Sequence, residues 1–186
     1  MNRSFELFLI ILMGFFLLIP AILIAILIKV ESRGPILYRS KRIGKGNDIF
    51  FMPKFRTMQV GTPQVATHLL KNPDNHQTKV GKILRKTSLD EIPQILSVIK
   101  GDMRLVGPRP ALFNQDDLIK LRTEKKIHLL KPGITGWAQI NGRDDIDIKD
   151  KVILDEFYLS KRSTMFDFCI LILTLKKVIS REGISH

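Results

Sequence analysis

Hydrophobic residues are unevenly spread along this chain. From Leu7 to Ile28 it reads LFLIILMGFFLLIPAILIAILI, 22 residues without a charge. A straight helix of that length covers roughly 33 Å, about one hydrocarbon thickness of a bilayer. The run is longer than a signal-peptide core, and no small-x-small cleavage pattern follows it. It predicts a retained membrane helix over residues 1–29, ahead of a globular domain over 30–186.

Pro20 interrupts the run. It lacks a backbone donor and frees the carbonyl of Phe16, which bends a helix. Two topologies fit: a kinked helix that crosses the bilayer, and a re-entrant helix that dips in and returns to the same face. Transmembrane prolines are common, so the residues by themselves favour the crossing. Arg3 precedes the run, whereas Lys29, Arg33, Arg39, Lys41 and Arg42 follow it. The heavier positive cluster puts the globular domain on the cytoplasmic side.

Beyond the helix the apolar runs are short. Pro35–Tyr38 and Ile49–Met52 flank the turn-rich Gly44-Lys45-Gly46-Asn47-Asp48, which predicts a β-hairpin. Residues 60–77 are polar, with Gly61, Pro63 and Pro73, and read as loop with room for a short helix. Gln94–Ile99 is a short helix stopped by Gly101, and Gly107-Pro108-Arg109-Pro110 is a rigid turn. Asn114–Leu130 and Ile148–Leu159 read as helices, and Lys131–Arg143 as glycine-rich loop. Met165–Ile179 is a further helix, apolar all round from Phe168 to Leu173. It suits either a buried core helix or one lying at a membrane interface, with Lys176, Lys177 and Arg181 among the headgroups. The sum is an α+β chain, mostly α, with a small hairpin and several amphipathic helices.

Charge narrows the partners. The net charge is +12 and residues 1–29 carry little of it, so the globular part is strongly basic. That suits nucleic acid, a phosphorylated metabolite or an anionic lipid surface. Aromatic-rich basic strands and a recognition-helix pattern are both missing, so nucleic acid is not an expected partner. The single cysteine, Cys169, excludes an intramolecular disulfide, and the histidines and cysteine form no zinc pattern.

The residues with chemical potential centre on Asp90-Glu91. Ser88 and Glu91 have capping-box spacing, and acids favour a helix N-terminus, so a purely structural cap accounts for them locally. Adjacent carboxylates also hold Mg²⁺ or divide nucleophile and base roles. Lys79, Lys82, Arg85 and Lys86 precede them, and Lys100, Arg104 and Arg109 follow. Such a run is either a solvated face or a phosphate cradle, for which arginine supplies a bidentate fork. Lys54 and Arg56 add two cations after the second strand. Gln139, Asn141 and Arg143 lie in the glycine-rich loop, a stretch able to wrap a ligand.

Leu84 to Gln94 (LRKTSLDEIPQ), Lys100-Gly101-Asp102-Met103, Val106 to Pro110 (VGPRP) and Pro132 to Gln139 (PGITGWAQ), in that order and preceded by Lys54 to Met58 (KFRTM), closely resemble the bacterial sugar transferases. These are the monotopic polyprenyl-phosphate phosphoglycosyl transferases, here in minimal catalytic form. The resemblance covers nearly the whole chain. It implies transfer of sugar-1-phosphate from a UDP-sugar to polyprenyl (undecaprenyl) phosphate, with release of UMP. This would be the first membrane step of bacterial glycoconjugate assembly.

By the same resemblance Asp90 is the nucleophile that forms an aspartyl phosphosugar. Glu91 is metal ligand or base, and Mg²⁺ the cofactor. Arg85, Arg109, Lys54 and Arg56 bind phosphate, and Gln139 and Arg143 the nucleotide. The helix is expected to be re-entrant and bent at Pro20. Its site is expected at the cytoplasmic face of the inner membrane, against membrane lipid, and a homodimer is compatible with the family. The chain departs from the family pattern at Ile19-Pro20, where Ser-Pro is frequent, and at Ser40, Ser97 and Arg104.

Overall fold

The structure, a computed structural model, describes residues 1–63, 73–142 and 146–180. Helix α1, Arg3–Glu31, runs unbroken through Pro20, and the Asn2 side chain caps it by accepting from the Ser4 amide at 3.2 Å. It is long and apolar enough to cross a bilayer. One narrow stripe faces the rest of the protein. Glu6, Ile10, Ile24 and Ile28 are buried, while Phe8, Phe15, Phe16, Ile19, Leu23 and Leu27 are exposed. An apolar exterior of this kind belongs in lipid, not in water.

Both ends of α1 are bound to the globular domain. Glu6, fully buried, accepts from Arg104 Nε and from the Leu105 amide, and Arg104 also donates to the Met1 carbonyl at 2.6 Å. Arg3 donates to the carbonyl of Val98. At the far end Glu31 accepts from the Val80 amide at 3.0 Å, and Arg56 donates to the carbonyls of Ser32 and Arg33. Between these ties the stripe enters two cores. Ile10 packs with Met52, Val98, Met103 and Ile170, and Ile24 and Ile28 pack with Phe55 and Leu84.

The predicted hairpin is present and longer than its apolar runs. β1, Leu37–Ile43, pairs antiparallel with β2, Ile49–Phe55, in a register that sets Tyr38 opposite Lys54 and Ser40 opposite Met52. Pro53 is tolerated inside β2 because every strand of a two-stranded sheet has a free edge. Residues 64–72 of the expected loop lie outside the described residues, and after them one helical turn, α2, covers Pro73–His76. α3, Lys79–Thr87, starts where Thr78 Oγ1 accepts from the Gly81 amide and stops where Ser88 turns left-handed at φ 55°. A 3₁₀ turn, Leu89–Gln94, then leads into α4, Ile95–Lys100, which ends at Gly101 with φ 92°.

Two expectations need correction. The segment 114–130 is not one helix: α5 spans Asp116–Glu124, and left-handed Lys126 separates it from a 3₁₀ turn at Ile127–Leu129. The glycine-rich segment after Lys131 has regular structure. β4, Gly133–Thr135, pairs parallel with β3, Arg104–Val106, and α6, Trp137–Asn141, follows at once. The glycines allow this pairing. A Cβ on Gly133 would strike the Gly107 nitrogen, and one on Gly136 the Gly107 carbonyl. α7, Ile148–Lys161, and α8, Thr164–Ser180, complete the fold. Ile170 and Asp167 of α8 are buried, whereas Met165, Ile172, Leu175 and Val178 are exposed, so the helix has a core face and an apolar outer face.

Gly133→Ala is expected to lower stability by about 1–3 kcal/mol, because rigid backbone on both sides leaves a methyl group no room. Gly14→Ala, where a Cβ meets nothing within 4 Å, should leave stability unchanged or slightly improved. Thermal unfolding of the two variants in detergent checks the contrast.

Candidate active site

Three segments meet at the carboxylate pair. The 3₁₀ turn Leu89–Gln94 carries Asp90 and Glu91, β2 carries Lys54, and the rigid Gly107–Pro110 turn carries Arg109. The Ser88–Glu91 capping box does not form. Ser88 is left-handed and makes no side-chain cap, and Glu91 turns instead toward the cations. Its Oε1 accepts from Lys54 Nζ at 2.7 Å and from Arg109 Nη2 at 2.8 Å. Lys54 Nζ also stands 3.8 Å from Asp90 Oδ2.

The two acids are electrostatically unlike. Burial raises Asp90 above its ordinary value; Lys54, Arg85 and Arg109 pull it down, and the neighbouring Glu91 charge pushes it up. At Glu91 burial also opposes charge, but Arg109 and Lys54, acting through charge and hydrogen bonds, outweigh it and hold the carboxyl far below the usual range. Glu91 is therefore a fixed anion. Asp90, only 8% exposed and without a hydrogen-bond donor among the described residues, is the more basic and less encumbered of the two.

Asp90 lies on the wall of a cavity of about 2140 Å³, together with Lys54, Arg85 and Arg109. Gly14, Leu17, Ala21 and Ala25 of α1 give the same cavity an apolar stretch of lining. One space thus joins a cationic floor to the flank of the membrane helix. Its two characters suit a ligand with a phosphate at one end and hydrocarbon at the other. Tyr38, Arg39 and Arg42 of β1 line it too. Sequence reasoning gave these residues no site role, although the register that places Tyr38 opposite Lys54 follows from the hairpin turn.

The other predicted site residues are placed differently. Arg56 borders the cavity, but its guanidinium is spent on Ser32 and Arg33 at the end of α1. Gln139, on α6, donates to the carbonyl of Ile134 on the preceding β4 and is not part of the cavity wall. Arg143 lies outside the described residues. For a divalent cation the donor set is two adjacent carboxylates, with both Asp90 oxygens and Glu91 Oε2 free of hydrogen bonds among the described residues. Mg²⁺ is ordinarily held by one or two carboxylates plus substrate phosphates, so these residues fit it.

A buried, cation-flanked carboxylate in a cavity that also borders an apolar helix suits a membrane-associated enzyme of phosphate chemistry. The chain matches the bacterial sugar transferase family over residues 1–181, and it belongs to that family. It is 43% identical over 162 residues to the uncharacterized sugar transferase EpsL of Bacillus subtilis (strain 168), covering 86% of this chain and 77% of that one. It is 41% identical to the UDP-glucose:undecaprenyl-phosphate glucose-1-phosphate transferase of Escherichia coli (strain K12), covering 83% of this chain and 35% of that one. A third relative is the UDP-N-acetylgalactosamine-undecaprenyl-phosphate N-acetylgalactosaminephosphotransferase of Aeromonas hydrophila, 36% identical over 86% of this chain and 39% of that protein. The chain thus spans most of EpsL but well under half of the other two.

The signs of the Asp90 interactions set a test. Lys54→Met removes the strongest influence holding the Asp90 proton affinity down, so its carboxyl should titrate at higher pH than in the unaltered protein. A ¹³C NMR titration of labelled aspartates in metal-free buffer, assigned with Asp90→Asn, checks this; an unchanged or lower midpoint would contradict the assigned electrostatics.

Proposed function

We propose that the chain transfers sugar-1-phosphate from a UDP-sugar to polyprenyl phosphate, typically undecaprenyl phosphate, through a covalent enzyme intermediate. One observation carries the proposal: Asp90 lines the cavity with no hydrogen-bond donor on it among the described residues, and the adjacent Glu91 holds two of the cavity's cations in place. In the first step an Asp90 oxygen attacks the β-phosphorus of the UDP-sugar. The bond from that phosphorus to the bridging oxygen breaks, and UMP leaves with the oxygen. In the second step a phosphate oxygen of the lipid attacks the same phosphorus. The Asp90–phosphorus bond breaks, and a polyprenyl-diphosphate sugar forms.

Lys54, Arg85 and Arg109 offset the charge that builds on the transferred group. Glu91 keeps Lys54 and Arg109 aimed at it. Its low proton affinity makes it a poor base, so its part is organisation of cations. Mg²⁺, held by Asp90 and Glu91, would screen the diphosphate when bound. Splitting the transfer lets two anionic substrates use one cationic site in turn.

The helix α1 is read as re-entrant, bent at Pro20, with the catalytic domain on the cytoplasmic face of the inner membrane. Support comes from its two ends, which are both tied to the same domain through Glu6–Arg104 and Glu31–Val80. A helix that crossed would carry its first turn to the other side.

Release of UMP that depends on polyprenyl phosphate, screened over a panel of UDP-sugars, tests the activity. Asp90→Asn should abolish it in a protein that stays folded in detergent. With UDP-sugar alone, rapid quench and mass spectrometry should find a phosphosugar on the peptide holding Asp90. Substantial turnover by Asp90→Asn would remove Asp90 as nucleophile, and an unmodified peptide would favour direct transfer in a ternary complex.

A further inference from the structure

Arg109 sits in a turn whose backbone is held at every residue from Gly107 to Ala111. The Gly107 amide donates to the Thr135 carbonyl at 2.9 Å, and the Pro108 carbonyl accepts from the Gly133 amide at 2.9 Å. The Pro110 carbonyl accepts from Arg42 Nη1 at 3.1 Å, and the Ala111 carbonyl from the Ile43 amide at 3.0 Å. The remaining carbonyl, that of Arg109 itself, accepts from Arg122 Nη1 at 2.8 Å. Four of these five ties use β-strands of the sheets or their immediate flanks. The fifth comes from α5.

Arg122 is 7% exposed, and its other two nitrogens are committed as well. Nε and Nη2 donate to Asp155 Oδ2 at 3.0 and 2.6 Å. Asp155, on α7, is 1% exposed. Burying such a pair costs desolvation, and apolar residues of similar volume often replace one at no loss of stability. The pair therefore calls for an explanation beyond stability. Its geometry supplies one. Asp155 fixes the guanidinium plane, and the fork then presents Nη1 to the Arg109 carbonyl. A lysine would satisfy the charge but could not hold both partners in one rigid plane. The chain of contacts continues through the Arg109 side chain to Glu91 Oε1 and from there to Lys54.

We propose that Arg122 and Asp155 are positioning residues for phosphosugar transfer. They act through the Arg109 carbonyl to hold its guanidinium, and with it Glu91 and Lys54, in register with Asp90. This rests on reading the Asp90 cavity as the transfer site. An ångström of misplacement in such a site is enough to lose about 100-fold in rate.

The test is the double variant Arg122→Met/Asp155→Leu, which removes the pair without stranding one buried charge. Its thermal midpoint in detergent should stay near that of the unaltered protein. Its kcat for UMP release should fall by about 100-fold, while KM for the UDP-sugar changes little. Arg122→Lys, which keeps the charge pair, serves as the second variant and should lose part of the same kcat. The Nε–Hε resonance of Arg109, assigned with Arg109→Lys, should shift or broaden in both variants. A kcat within about twofold of the unaltered enzyme, with that resonance unmoved, overturns the proposal. If the unaltered protein releases no UMP from any sugar in the panel, the transferase reading fails. The resonance then decides the relay alone, and an unmoved signal overturns it.

Discussion

A single carboxylate oxygen organises this site. Glu91 Oε1 receives Lys54 from a strand 37 residues before it and Arg109 from a turn 18 residues after it. Two cations so close would repel each other and turn to solvent without an anion between them. With Glu91 in place they converge, and three distant pieces of chain are fixed at one point. Asp90, the residue before Glu91, lies on the cavity wall beside the same cations.

The same logic of fixed backbone underlies the floor of the cavity. Gly107, Gly133 and Gly136 let β3, β4 and the turn beyond β3 approach more closely than any side chain would permit. Proline on either side of Arg109 removes two donors, so the turn cannot hold itself by its own amides. It is held from outside, by carbonyls accepting from β1, β4 and α5. Rigidity here is a property of the surroundings as much as of the Gly-Pro-Arg-Pro sequence.

Much of this was legible in the residues, and the reasons for the rest are physical. The apolar run and the Gly44–Asp48 turn are local signals, so α1 and the hairpin could be read directly. The break of the 114–130 helix at Lys126 depends on a left-handed residue that no glycine or asparagine announces. β3 and β4, three residues each, are too short for periodicity to show, and their pairing is parallel and distant in sequence. At the site, Asp90, Lys54, Arg85 and Arg109 do line one cavity, and Glu91 is bonded to two of them, Lys54 and Arg109. Arg56 has the right charge but lies just past the end of β2, where its fork reaches Ser32 and Arg33 instead. Tyr38 and Arg122 were invisible as contributors because their relevance lies in cross-strand register and in a bond to a main-chain oxygen.

The inward stripe of α1 has a consequence for how the protein is made. Ile10 packs in the same cluster as Ile170, and the Phe5 ring lies 5.4 Å from that of Phe168. The helix leaves the ribosome long before these partners exist. Until they do, its inner face, with the Glu6 carboxylate, has neither protein nor a comfortable place in lipid. Insertion and folding therefore cannot be separate events for this chain. The helix reaches its final seat only when nearly all of the domain that follows it has been synthesised, so an element made well before its partners is finished only with them.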